Sequence, residues 1–255
     1  MRAGYNFCRV FLFLVFFGCS MVAFGQSLAN YTISRSTGNV YSSIIGTGNA
    51  FASWRYSGTF SEDDNRSDLT DIGFDFWYNG QRYTQFSVST NGYIDFSSSV
   101  NDGGPQCNAY GYCNTFFSAS TSGTWLALAP FYDDMTTKSG SDPLGTSIKY
   151  QVSGSAPFRT LTVEWDGMAV YQNTSPDLNF QVKIYETTGV IEFNYETMNR
   201  GTVNFSYTLG INSTALGNPP TASQLRTQQT ENSTSFSNTV QNNLSAMPLA
   251  FSRIQ

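Results

Sequence analysis

The sequence predicts an all-β chain, a two-sheet antiparallel β-sandwich of jelly-roll type, and three observations carry that prediction. Apolar residues alternate with polar ones at a period of two wherever they cluster, which is how a strand with one buried face reads. Asn-Gly and Thr-Thr-Gly tracts separate the alternating runs, as tight hairpins require. Aromatic residues make up 16% of the chain and charged residues only 12%, a balance suited to pleated, half-buried surfaces rather than amphipathic helices.

The first element is not part of the sandwich. Arg2 and Arg9 precede an apolar core from Val10 to Phe17, and small residues follow around Ala23 and Gly25. That layout is a secretory signal peptide over residues 1–25, cleaved before Gln26. Gly18-Cys19 allows a second reading, a lipoprotein anchored at Cys19. The apolar core is shorter than the roughly 20 residues of a membrane span. The expectation is therefore a secreted or outer-surface chain with no transmembrane span, its residues 26–255 forming a single, monomeric sandwich domain.

Within that domain, Phe74 and Phe76 alternate with Asp75, and Asn79-Gly80 turns the chain into a return strand carrying Phe86 and Val88. Asn91-Gly92 offers the next turn, ahead of Ile94 and Phe96. The tract LTVEWDGMAVY sets Leu161, Val163 and Trp165 on one face and Thr162, Glu164 and Asp166 on the other, which is expected to meet solvent. A hairpin follows: Phe180, Val182 and Ile184 run in, residues 187–189 turn, and Ile191, Phe193 and Tyr195 return. Phe205 to Ile211 gives a further strand. The polar tract at about 212–243, broken by Pro219-Pro220, reads as a long connection with at most one short helix around Ala222 to Gln229. Met247 to Ile254 is expected as a closing edge strand.

Charge and composition exclude several functions. Losing Arg2 and Arg9 with the leader takes the 13 Lys and Arg to 11, against 18 Asp and Glu, a net charge of −7. Nucleic acid is an unsuitable partner for such a chain. Histidine is absent, which removes every Ser-His and Cys-His nucleophile system and the commonest metal ligand. Cys107 and Cys113 are the two cysteines left after the leader. In an oxidising compartment they are expected to form a disulfide, closing a loop that presents Tyr110 and Tyr112 as ligand-contact candidates.

Two acidic pairs are candidate sites. Asp133-Asp134, at the end of LALAPFYDDM, could coordinate Ca²⁺ with oxygen donors at Thr136, Ser141 and Asp142. The simpler reading is that they cap the following turn through bonds to backbone N–H groups; catalysis is a third. Glu164 and Asp166 could serve as the two carboxyls of a glycosidase, although Gly167-Met168-Ala169 offers no third acid and solvent-facing acids explain them more simply. The run SEDDNRSD, Ser61 to Asp68, reads as a solvated hairpin tip whose countercharge is Arg66.

Three segments in order, FSVSTNGYIDF, then LALAPFYDDM with GTSIKYQV, then LNFQVKIYETTGVIEFNY, resemble the extracellular nidogen-type domain. Together with Pro157, Arg159, Val163, Glu164 and Trp165 they are similar to an N-terminal β-sandwich module of exported, multi-domain surface proteins of the Bacteroidota. The resemblance implies an extracellular module, with adhesion as its analogy; the expected function is a non-enzymatic binding or adhesion module that contacts a glycan or protein through loops, with no cofactor unless Ca²⁺ binds at Asp133-Asp134. A secreted carbohydrate-active enzyme and a purely structural spacer are the alternatives. Relatives of that kind continue into further domains, so the chain ending at Gln255 is either a fragment or a stand-alone version.

Overall fold

Short-period alternation is converted into fifteen strands, in a computed structural model that describes residues 27–55, 62–97, 126–138, 144–171, 173–202, 204, 206–213, 221, 224–228, 236–237, 244–248 and 252–254. The leader, Cys107, Tyr110, Tyr112 and Cys113 lie outside the described residues. The strands are β1 Arg35–Ser36, β2 Asn49–Ala50, β3 Thr70–Tyr78, β4 Gln81–Ser89, β5 Tyr93–Asp95, β6 Ala127–Tyr132, β7 Met135–Thr137, β8 Ile148–Ser153, β9 Thr160–Val170, β10 Asn173–Tyr185, β11 Ile191–Asn199, β12 Thr208–Asn212, β13 Leu225–Gln228, β14 Phe236–Ser237 and β15 Ser252–Ile254. A 3₁₀ turn at Leu28–Asn30 and one α-helical turn, α1 at Leu144–Ser147, complete the described elements.

The strands form two antiparallel sheets. The first runs β1-β15-β11-β10-β9-β8-β2, with β7 paired to the far end of β9; the second runs β14-β13-β12-β6-β5-β4-β3. The β-sandwich expected from the sequence is thus the architecture found. Its core lies between the sheets: Trp165 stacks on Phe180 with centroids 5.1 Å apart, and Phe131 stacks on Tyr207 at 4.0 Å. Two polar bonds cross the same gap, from Trp165 Nε1 to the Ser89 carbonyl at 2.9 Å and from the Tyr195 hydroxyl to the Pro130 carbonyl at 2.8 Å. Buried aromatic residues with polar tips need such partners.

Local chemistry explains the turns. Asn79 and Gly80 both hold positive φ, 49° and 77°, the pair that a two-residue type I′ hairpin demands. Asn79 also accepts the Leu28 N–H at 2.7 Å, which ties down the N-terminal turn. Pro130 sits within the central strand β6, where its missing N–H would break a ladder. The register shifts there by one residue, from Thr208 opposite Tyr132 to Gly210 opposite Ala129, so the proline occupies a bulge.

Arg159 closes one end of the sandwich. Its guanidinium bonds the Glu186 carboxylate at 2.8 and 2.5 Å, donates to the Gly73 carbonyl at 2.6 Å in the other sheet, and lies over the Phe74 ring. Two of the tracts that carried the family resemblance meet in this contact.

Two expectations are corrected, and β4 departs from simple alternation. Residues Leu225–Gln228 form a strand rather than a helix, pairing with β12 so that Thr227 lies opposite Gly210; the free edge of β12 overrides a weak local preference. The closing strand β15 forms, but it pairs on both sides, with β11 and with β1, so β1 is the edge. Ser87 and Ser89 are buried along with Phe86 and Val88, because the chain at Arg66–Ser67 lies against β4: Ser67 N–H bonds the Val88 carbonyl, and Arg66 Nε bonds Ser87 Oγ.

Two glycines separate backbone strain from steric need. Gly167 has φ +60 with open space where a Cβ would go, whereas at Gly92, φ +78, a Cβ would stand 1.8 Å from the Phe131 carbonyl oxygen. Gly167→Ala is expected to cost about 1–2 kcal/mol, the left-handed conformational penalty alone. Gly92→Ala adds the clash and should cost more than about 3 kcal/mol. Urea unfolding of the two variants would check the ranking, and equal losses would refute it.

Candidate functional site

Four aspartates converge where three segments meet. Asp63 forms an isolated bridge to Thr136, which places the 62–67 segment beside β7. Asn91, in the turn after β4, donates from Nδ2 to Asp64 Oδ1 at 2.8 Å and accepts the Met135 N–H at Oδ1, 2.9 Å. One side chain therefore fixes both of the other segments. Asn65 N–H bonds Thr90 Oγ1 and Thr90 N–H bonds the Asn65 carbonyl, while the Asp134 carbonyl accepts Tyr171 N–H. In this setting, carboxylate oxygens of Asp63, Asp64 and Asp134 all lie within 4.8 Å of one another.

Asp133 performs the capping role anticipated for it, accepting the Asp134 N–H at Oδ1, 2.9 Å. Its Oδ2, Asp134 Oδ1 and Asp63 Oδ1 are buried and have no hydrogen-bond partner. Thr136 is at the corner; Ser141 and Asp142 lie outside the described residues.

Burial pushes the Asp63 carboxyl up to about 8, with repulsion from Asp64 and Asp134 adding to it and a backbone bond opposing. Burial also takes Asp133 to about 8, opposed by the Asp134 N–H. Asp134 rises to about 6 through burial and then Asp64, and Asp64 rises through burial against the Asn91 bond. Among the described residues, no lysine or arginine is among the charges that shift these four groups.

The expected countercharge is elsewhere, which corrects the reading of Ser61–Asp68 as a solvated tip. Asp63, Asn65, Arg66 and Ser67 are buried. Arg66 Nη2 lies 2.5 Å from Asp95 Oδ2, with 1% and 0% of the two side chains exposed. Asp95 further accepts Ser97 Oγ, Ser97 N–H and Leu126 N–H. Asp95 was not singled out from sequence; a lone aspartate inside the apolar run YIDF was the available signal.

Glu164 and Asp166 do not form an exposed pair. Glu164 is fully buried, because residues 41–44 cross the outer face of the sheet: its carboxylate accepts Ile44 N–H at 2.5 Å, Gln181 Nε2 at 3.0 Å and the Tyr41 hydroxyl at 3.1 Å. Burial raises its pKa and these bonds oppose the rise. Beyond Trp165 the β9–β10 register shifts, from Phe180 opposite Trp165 to Leu178 opposite Met168. Asp166, in that interruption, is partly buried; burial raises it, then Asp177, while Lys138 lowers it. A carboxylate holding three donors is a structural anchor for residues 41–44.

Elsewhere in the domain, Tyr78 is buried and bonds the Asn212 carbonyl, Trp54 packs on Phe51, and Trp77 is 53% exposed. Trp125 lies outside the described residues.

Two outcomes follow. In Glu164→Gln, one amide N–H₂ group must face a cluster of donors, and the variant should lose about 2–4 kcal/mol in urea unfolding; a loss below about 0.5 kcal/mol would contradict the anchoring role. In chelator, the folded chain holds protons on Asp63 and Asp133 that the unfolded chain, with pKa near 4, has released. Stability should therefore fall as pH rises from about 5 to 8, and Asp63→Asn should flatten that slope in a pH series of urea midpoints.

No helix among the described residues is long and apolar enough to cross a membrane. No curated protein matches the chain, and no solved structure matches it. The family described as NIDO related matches residues 30–254, a span that takes in both sheets and the aspartate corner. The chain therefore belongs to the NIDO-related family.

Proposed function

We propose that the chain is a non-enzymatic extracellular binding or adhesion module. The family match over residues 30–254 carries this reading, since nidogen-type domains are extracellular and the first 25 residues read as an export signal. The fate of the acids supports it as well. Glu164, one of the two catalytic candidates, is buried with both oxygens hydrogen-bonded to the fold, which sets it away from any substrate whose proton it would move.

The ligand, a glycan or protein of the extracellular space, is contacted through loops. Tyr110 and Tyr112, between Cys107 and Cys113, are the first candidates, because tyrosine gives a large contact area at small entropic cost. Asp166 has no placed partner acid at Glu164 and is not assigned a role.

The test is a binding and turnover screen of the full chain on glycan arrays and immobilised matrix proteins. Binding without hydrolysis, weakened at least about tenfold by the double change Tyr110→Ala and Tyr112→Ala with an unchanged melting temperature, is the expected result. Turnover of any polysaccharide would overturn the reading.

A further inference from the structure

We infer that Asp63, Asp64 and Asp134 hold one Ca²⁺ ion, and that this ion locks the 62–67 segment to the corner between β6 and β7. The inference extends the sequence-based candidate, Asp133-Asp134, to residues brought in from another part of the chain. It stands whether or not the module binds a glycan or protein.

Geometry is the first support. Ca²⁺ takes oxygen ligands at roughly 2.3–2.6 Å, so any two of its ligands can be at most about 5 Å apart. Oxygens of the three aspartates lie within 4.8 Å of one another, which lets all three reach a common centre with little movement.

Unmet bonding is the second, and it is independent of the clustering. Asp63 is 7% exposed, yet its Oδ1 has no hydrogen-bond partner. Asp134 Oδ1, in the same cluster, has none either, and Asp133 Oδ2 behind it is likewise buried without one. A buried carboxylate oxygen with no donor carries a desolvation penalty that native proteins remove by a bond, a counterion or a metal. Among the described residues, the neighbouring donor and cation are taken up by other atoms: Asn91 Nδ2 donates to Asp64 Oδ1, and Arg66 faces Asp95.

The donor set selects the ion. All oxygens and no nitrogen or sulfur exclude a Zn²⁺ preference. Three carboxylates drawn from two connections fit Ca²⁺, whereas Mg²⁺ keeps most of its water and binds through one or two carboxylates.

The experiment is calorimetric titration of the chelator-stripped full chain with CaCl₂ and with MgCl₂, paired with thermal melts. Expected are one Ca²⁺ per chain, a rise in melting temperature of about 5 °C or more at saturation, and weaker Mg²⁺ binding. Asp64→Asn and Asp134→Asn should each lose at least about tenfold in Ca²⁺ affinity, while melting in chelator no lower than the parent, because each relieves repulsion. Asp166→Asn, outside the corner, should bind as the parent does. No heat and no melting shift at about 10 mM CaCl₂ would overturn the inference. So would unchanged affinity in both corner variants, or Mg²⁺ bound as tightly as Ca²⁺. If one variant fails to fold by circular dichroism, the parent titration and the other variant still decide.

Discussion

Arg66 carries its guanidinium into the interior and must find an anion there, since an unpaired buried charge costs several kcal/mol. Asp95 supplies it at 2.5 Å, held in turn by Ser97 and by the Leu126 N–H. The pair joins a segment outside the named strands to β5, an interior strand of the second sheet. With Arg66 drawn inward, Ser67 pairs with Val88 and Asn65 with Thr90, so residues 65–67 run along β4 of the second sheet while Asp63 bridges to β7 of the first. Replacing one partner would leave the other charge stranded, which makes this contact a stronger constraint than the exposed pair of Arg82 with Asp75.

The consequence appears two residues away. Once Arg66 faces Asp95, its charge is taken up there rather than by Asp63 and Asp64, and the bridge from Asp63 to Thr136 delivers them to Asp134. The corner is therefore produced by the placement of a single cation. Its acids are close because the backbone ladder and Asn91 put them there, not because they attract one another.

Much of the sandwich was legible, for reasons that differ by element. Asn79-Gly80 needs positive φ at both positions, and few sequences other than Asn-Gly accept that, so the turn could be placed by inspection. Period-two alternation identified β3, β9, β10 and β11, because each has one face against the other sheet. The same argument failed for the second face of β9. Alternation says which residues share a side, but only tertiary packing decides whether residues 41–44 will cover Glu164. The 222–229 tract failed for a related reason: LRTQ has little preference of its own, and the unpaired edge of β12 decided its state. At the corner, Asp133 and Asp134 were visible as adjacent acids, whereas Asp63 and Asp64 are some seventy residues earlier. A nearby Arg66 made them read as neutralised, and nothing local shows that its side chain turns away.

Glu164 and the aspartate corner present the same problem, a carboxylate removed from water, with opposite answers. Around Glu164 the fold supplies an amide N–H, a hydroxyl and a carboxamide, so the charge is compensated within the chain and the group becomes a fastener. Around Asp63, Asp133 and Asp134 it leaves three buried oxygens without a donor. Burial alone does not separate an anchor from a site, since Glu164, Asp63 and Asp133 are all nearly inaccessible. The number of donors facing them does. The two buried acid systems sit where residues 41–44 and 62–67, segments outside the named strands, meet the two-sheet frame.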